Sequence, residues 1–222
     1  MPDDFTRIQS DWERRANEEF TILTTDLWAT AGKSLGGLPL ILFAVISGSL
    51  IAGSMMGSGV TAWSLSNGWS RALWIRSILL LNVILTVAAY IILTSGFVLA
   101  TVIRIAQLGL HTTPGGPGWS AFTPLPGLLF YSLIGLAAGL LTGKGESAVL
   151  GALAFITGEY VLSSAMGGLP VFPASLHQVT LDNSEVVTGR IAFIVLLLIS
   201  LLLATLIWVY FTSSRDVPDR PR

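Results

Sequence analysis

Cysteine is absent from the 222 residues, which excludes disulfides, thiolate metal sites and iron–sulfur clusters and leaves the redox compartment open. Charge is scarce as well: 11% of residues are Asp, Glu, Lys or Arg, against roughly 25% in soluble domains, too few to build a water-facing surface. The formal net charge is -1 and no cluster of Lys and Arg stands out, so the chain has no electrostatic footprint for nucleic acid. Of the two histidines, His111 and His177, neither lies inside an apolar block, so a haem held between two helix histidines is not expected. A long mixed-charge stretch precedes the first apolar block, with no small-residue cleavage pattern, and no removable signal peptide is read there. No nucleophile–base pair, metal cluster or phosphate loop is present, and Gly143-Lys144-Gly145-Glu146 lacks the Walker spacing. The chain is therefore expected to be no enzyme, to hydrolyse no ATP itself, and to carry no metal or cofactor.

What the sequence has instead is apolar residues in long blocks. They make up 52% of the chain, with a mean hydropathy of +0.73, and a globular core does not need such runs. Five blocks suit a hydrocarbon core of about 30 Å, which takes roughly 20 helical residues to cross. They lie at about 36–57, 77–99, 126–143, 147–166 and 191–211. The first is Gly-rich and holds Pro39, tolerated in membrane helices because neighbours satisfy the freed backbone groups. Only residues 143–146 separate the third and fourth, which must form a tight helical hairpin. Pro/Gly-bearing stretches at 100–125 and 167–190 read as connections. The fold class is thus all-α: a polytopic integral membrane protein with about five transmembrane helices in one domain, 36–212, followed by a polar tail, 213–222.

Residues 1–35 form an extramembrane segment. Phe5, Ile8 and Trp12 sit three and four apart, so a helix there has one apolar face, suited to the membrane surface or to a neighbouring helix. Five spans put the termini on opposite sides. With the C-terminus inside, the inner side carries Arg71, Arg76, Lys144, Arg215, Arg220 and Arg222, and the outer side Arg7, Arg14, Arg15, Lys33, Arg104 and Arg190. Arg7, Arg14 and Arg15 are more than about 15–20 residues from the first span and mixed with acids, which tips the tie toward a cytoplasmic C-terminus.

Three constellations stand out. The stretch from Gly57 to Trp74 combines small residues with Trp63, Trp69, Trp74 and Arg71, which suits a short interfacial helix that could relay motion from a soluble partner or serve only as an aromatic belt. Glu159 is the one acid well inside an apolar block. An ionised carboxylate at the bilayer centre costs at least roughly 2.5 kcal/mol, so it should face the bundle or a wet cavity, as a functional group or a hydrogen-bonded packing residue. Asn82 and Tyr160 are milder cases. Gly135, Gly139 and Gly143 recur every fourth residue and offer a smooth face for close helix packing.

Three stretches together resemble the permease subunits of ABC-2 type ATP-driven exporters, in a form common in actinobacteria. LPLILFAVISGSLIAGSMMGSGVTAW is similar to that family's second helix and the Gly-Thr segment after it; SNGWSRALWIRSILL is similar to its turn into the third helix; and PLPGLLFYSLIGLAAGLLTGKGESAVLGALAFITGEYVL resembles its paired fourth and fifth helices. The likeness covers about two-thirds of the chain. It implies a separate ATPase subunit meeting Gly59, Thr61, Trp63, Trp69, Arg71 and Trp74, a second permease copy, and a multi-pass place in the cell membrane with the C-terminus inside. Two features depart from the pattern: the acidic residue that usually precedes the Gly-Thr segment is replaced by Met55-Met56-Gly57-Ser58, and the family's first helix has no counterpart in the residues read here. Two other classes compete, the substrate-binding membrane subunit of a vitamin-type importer, which needs a polar pocket on the outer side, and a non-transporting accessory subunit of a respiratory or other membrane complex.

Overall fold

The computed structural model describes residues 22–108, 112–113, 115–166, 172–182 and 186–213. Phe5, Ile8, Trp12, His111 and the tail from 214 lie outside them. Eight α-helices follow one another: α1 Thr24–Gly36, α2 Leu38–Gly57, α3 Val60–Ser66, α4 Arg71–Gln107, α5 Leu125–Thr142, α6 Gly145–Ala165, α7 Pro173–Asp182 and α8 Val187–Ser213. A 3-10 turn spans Trp119–Phe122, and a two-residue parallel pairing joins Ile22–Leu23 to Thr112–Thr113. Five helical stretches are long and apolar enough to cross a membrane: α2, α4, α5 with the turn before it, α6 and α8. The chain is an all-α, multi-pass membrane protein.

Local chemistry sets the boundaries. Pro39 and Pro126 occupy first turns, where a missing N–H costs nothing. Ser70 caps α4 by accepting from the Leu73 N–H at 3.2 Å. Gly143, at φ +64°, ends α5 in the left-handed conformation, and its N–H closes back on the Gly139 carbonyl at 3.0 Å.

Two elements differ from the sequence reading. The span expected at 77–99 is a 37-residue helix, α4, whose length of about 55 Å far exceeds the hydrocarbon core. It continues to Gln107, through residues assigned to a connection, because nothing between Phe97 and Gln107 breaks a helix and Leu27 and Ala31 of α1 pack on Val98 and Ile105. The stretch 167–190 likewise holds a helix, α7, six of whose ten residues are buried.

The helices alternate in direction, so the core divides into layers along the bundle. One layer joins Leu40, Ile41 and Val45 of α2 to Tyr90, Leu128, Tyr131, Ile156, Leu176 and Leu196. Another joins Ala52 to Trp74, Ile75, Ile78, Leu136, Leu140, Ile207 and Phe211. The tightest seam is α2 against α5. A Cβ on Gly48 would collide with the Ser132 carbonyl and one on Gly135 with the Val45 carbonyl, while one on Gly139 would lie 2.7 Å from Ala52 Cβ and from the Ser49 carbonyl. The backbones touch there, as small residues permit in membrane bundles.

Candidate functional site

The antiparallel order brings separate pieces of sequence to each end of the bundle. At the hinge end stand the C-terminus of α2, all of α3, the first turn of α4, the α5–α6 turn and the end of α8. Gly59, at φ +75°, turns the chain from α2 into α3, and no atom lies within 4 Å of where its Cβ would be. Thr61 then donates its hydroxyl to the Met55 carbonyl at 3.0 Å, satisfying one of the carbonyls that the last turn of α2 leaves open. Thr61 is buried and ties α3 to α2; Trp63 is 66% exposed and Trp69 44%. Gly53 packs against the Gly145 backbone, and Gly53, Ser54, Gly57 and Ser58 together with Gly143, Lys144, Gly145, Glu146 and Ser147 line a cleft of about 480 Å³. Two segments more than eighty residues apart in sequence thus form one surface of small and polar residues.

The structure sorts the residues singled out in this stretch. Gly59, Trp63 and Trp69 are exposed, and Arg71 is half-buried at the start of α4. Trp74 is 5% exposed and sits in the core with Ile78, Leu140 and Phe211. It is a packing residue and offers no surface to a partner, because positions 74, 78 and 82 recur on the inward face of α4. Gly143 also parts from its two companions: Gly135 and Gly139 make the α2 seam, whereas Gly143 supplies a helix-ending conformation.

At the other end, the clasp end, α7 is sunk between α1, α5, α6 and α8. Glu159 is 6% exposed and takes two hydrogen bonds, the Ala174 N–H donating to Oε1 at 2.7 Å and the Tyr131 hydroxyl to Oε2 at 3.2 Å. Ala174 lies in the first turn of α7, so this acid meets the positive end of a helix dipole as well as two donors. That arrangement offsets the cost of burying a carboxylate without a basic partner. Ser163 and Ser175 add a second α6–α7 link at 2.8 Å.

His177 lies one turn further along α7, 1% exposed, and its Nε2 is 2.7 Å from the Gly36 carbonyl at the end of α1. A carbonyl only accepts, so Nε2 carries the proton. Nδ1 has no partner and faces Gly127, where a Cβ would overlap the ring. Burial holds the imidazole below the ordinary histidine range, and the Gly36 bond opposes that in part. Sequence reasoning placed His177 in a connection. The signal lay in the spacing of Ala174, His177 and Leu181, which are three and four apart and all buried, directly after a proline.

Near the middle, Asn82 donates to the Ser132 hydroxyl at 3.0 Å, a polar link between α4 and α5. Tyr160 is 38% exposed. It borders a cleft of about 460 Å³ between α2, α6 and α7 that Leu38, Leu42, Leu153 and Ile156 also line. Among the described residues no group of three His, Asp or Glu could hold a metal ion.

No protein-family model, curated protein or solved structure matches the chain. Its function has to be argued from this geometry and from the sequence.

Proposed function

We propose that the chain is the membrane permease subunit of an ATP-driven exporter, coupling a separate ATPase to substrate movement through a bundle completed by a second copy. The observation that carries this reading is the hinge-end surface. The end of α2 and the α5–α6 turn, which the resemblance to ABC-2 permeases picks out separately, touch at Gly53 and Gly145 and line one cleft together. Trp63 and Trp69, which follow the α2–α3 turn in sequence, are exposed. A soluble subunit that grips both turns acts on α2 and on the α5–α6 hairpin at once. Because α2 and α5 touch through backbone, movement imposed on one carries the other with it. A partner shifts such an equilibrium only through contacts that differ between its own states, which an ATPase changing shape with its nucleotide provides. In this reading the hinge end faces the cytoplasm of the cell membrane, and the chain performs no chemistry of its own.

Co-purification tests it. Trp63→Ala and Trp69→Ala together should release an associated ATPase, since interface tryptophans commonly contribute about 2 kcal/mol or more, about thirtyfold in affinity. An ATPase retained equally by the double variant, or none associating with the native chain, contradicts the proposal. The cleft beside Tyr160 favours the importer reading, but half of its lining is Leu and Ile, and no Asp, Glu, Lys or Arg is there to orient a polar vitamin.

A further inference from the structure

The exporter reading leaves the clasp end unused, although the described chain buries its most specific polar contacts there. Two devices hold α7. Glu159 and Tyr131 fix its first turn through the Ala174 N–H, and His177 ties its middle to the end of α1. The two differ in their response to acid. The imidazole is already committed, with its one N–H given to the Gly36 carbonyl and its bare Nδ1 pressed on the backbone of Gly127. A second proton would create an N–H at Nδ1 with no acceptor in reach, together with a buried charge, both of which are costly.

We propose that α7 is a proton-released latch, docked while His177 is neutral and freed from the bundle when Nδ1 takes up a proton. Freeing it removes the Gln178 and Leu181 wall of the cleft between α2 and α6 and so opens the clasp end.

Among the described residues the surroundings of the imidazole offer no counter-charge in contact. From α5 the Tyr131 ring stands edge-on with centroids 6.3 Å apart, and its hydroxyl is engaged by Glu159 of α6. Tyr160 of α6 is half in the cleft. Asp26 and Lys33 on α1, Glu146 at the far end of α6, Asp182 on α7 and Arg190 on α8 are exposed, and Tyr210 lies at the far end of α8. Among the described residues Glu159 is the only other titratable group whose protonation would loosen α7 directly, and it makes the decisive control.

The sign follows from linkage. Released, His177 titrates near the ordinary value of 6.5; docked, it binds a proton only at lower pH. Docking is therefore at full strength above about 6.5 and weakens as pH falls, by about tenfold per pH unit, until the docked imidazole also protonates.

Since the chain has no cysteine, a nitroxide can be attached at Gln178→Cys, an exposed α7 position, before any titration. The full chain in lipid vesicles is then followed by spin-label mobility from pH 8 to pH 5. The expected result is a mobile component whose ratio to the immobile one rises about tenfold per pH unit below about 6.5. In His177→Gln, which keeps an N–H for Gly36 without a titrating ring, it should stay flat, and in Glu159→Gln the acid-induced rise should remain. An unchanged native spectrum across the range overturns the latch even if neither variant folds. So does a pH response that survives in His177→Gln, or one lost only in Glu159→Gln.

Discussion

The two ends of this bundle are built by opposite means. At the hinge end, turns rest on glycine: Gly59 and Gly143 hold positive φ, the cleft is lined by Gly, Ser, Lys144 and Glu146, and two tryptophans stand in the open. At the clasp end, a short helix is drawn inside by a carboxylate, a serine pair and an imidazole, nearly all buried. In the proposed function the first end is the one a partner grips. In the proposed latch the second, where His177 Nδ1 lacks a partner, stays closed until that atom takes up a proton. Between them runs the α2–α5 seam, where backbone contact leaves little slack.

The seam offers the largest perturbation. Gly135→Leu forces a branched side chain against the Val45 carbonyl, and since backbone cannot yield as a side-chain tip can, the cost should exceed the roughly 1–3 kcal/mol usual for overpacking and surpass that of any truncation in the core. Thermal unfolding in detergent should show a collapse of stability, whereas Gly151→Leu, on open α6 surface, should leave it nearly unchanged. Equal behaviour of the two would remove the seam as the rigid element joining the ends.

The next test separates the tryptophans. Trp74→Ala should destabilise the fold by about 3–5 kcal/mol, as for other large core aromatics, while Trp63→Ala should stay within about 0.5 kcal/mol. Similar unfolding temperatures for both would mean that the hinge end is not divided into packed and exposed rings as described.

At the clasp end, Glu159→Leu leaves the Ala174 N–H and the Tyr131 hydroxyl without acceptors, at about 1–3 kcal/mol each while they remain buried. Hydrogen exchange in α7 should accelerate with little change at the hinge end. Acceleration at both ends alike would show that α7 is part of the global core rather than a separately docked element. Among the destabilising substitutions the smallest effect is expected from Gly143→Ala, where a left-handed position costs about 1–2 kcal/mol and shifts the α5–α6 turn rather than the seam.

Much of this was legible from residue order alone. The five spans follow from run length, since an apolar block of about 20 residues has few other uses. The close approach at Gly135 and Gly139 follows from four-residue spacing. Glu159 was legible as inward-facing because lipid does not accept an acid, but its partners were not, because the N–H that binds it belongs to a short helix with too few apolar residues to stand out as a block. That helix is held in by polar contacts, which leave no hydropathy signal. Trp74 misled for a related reason: a tryptophan beside a Gly-rich turn suits the membrane interface, and only its register with Ile78 and Asn82 marks it as core.

The central claim is that the hinge end receives an ATPase. The most direct measurement reconstitutes the full chain with the ATPase that co-purifies with it and follows ATP hydrolysis in proteoliposomes, for the native chain and for Trp63→Ala. The account predicts hydrolysis that depends on the native chain and falls severalfold in the variant while its unfolding temperature holds. Equal hydrolysis with both chains, or the absence of any associated ATPase, would contradict it.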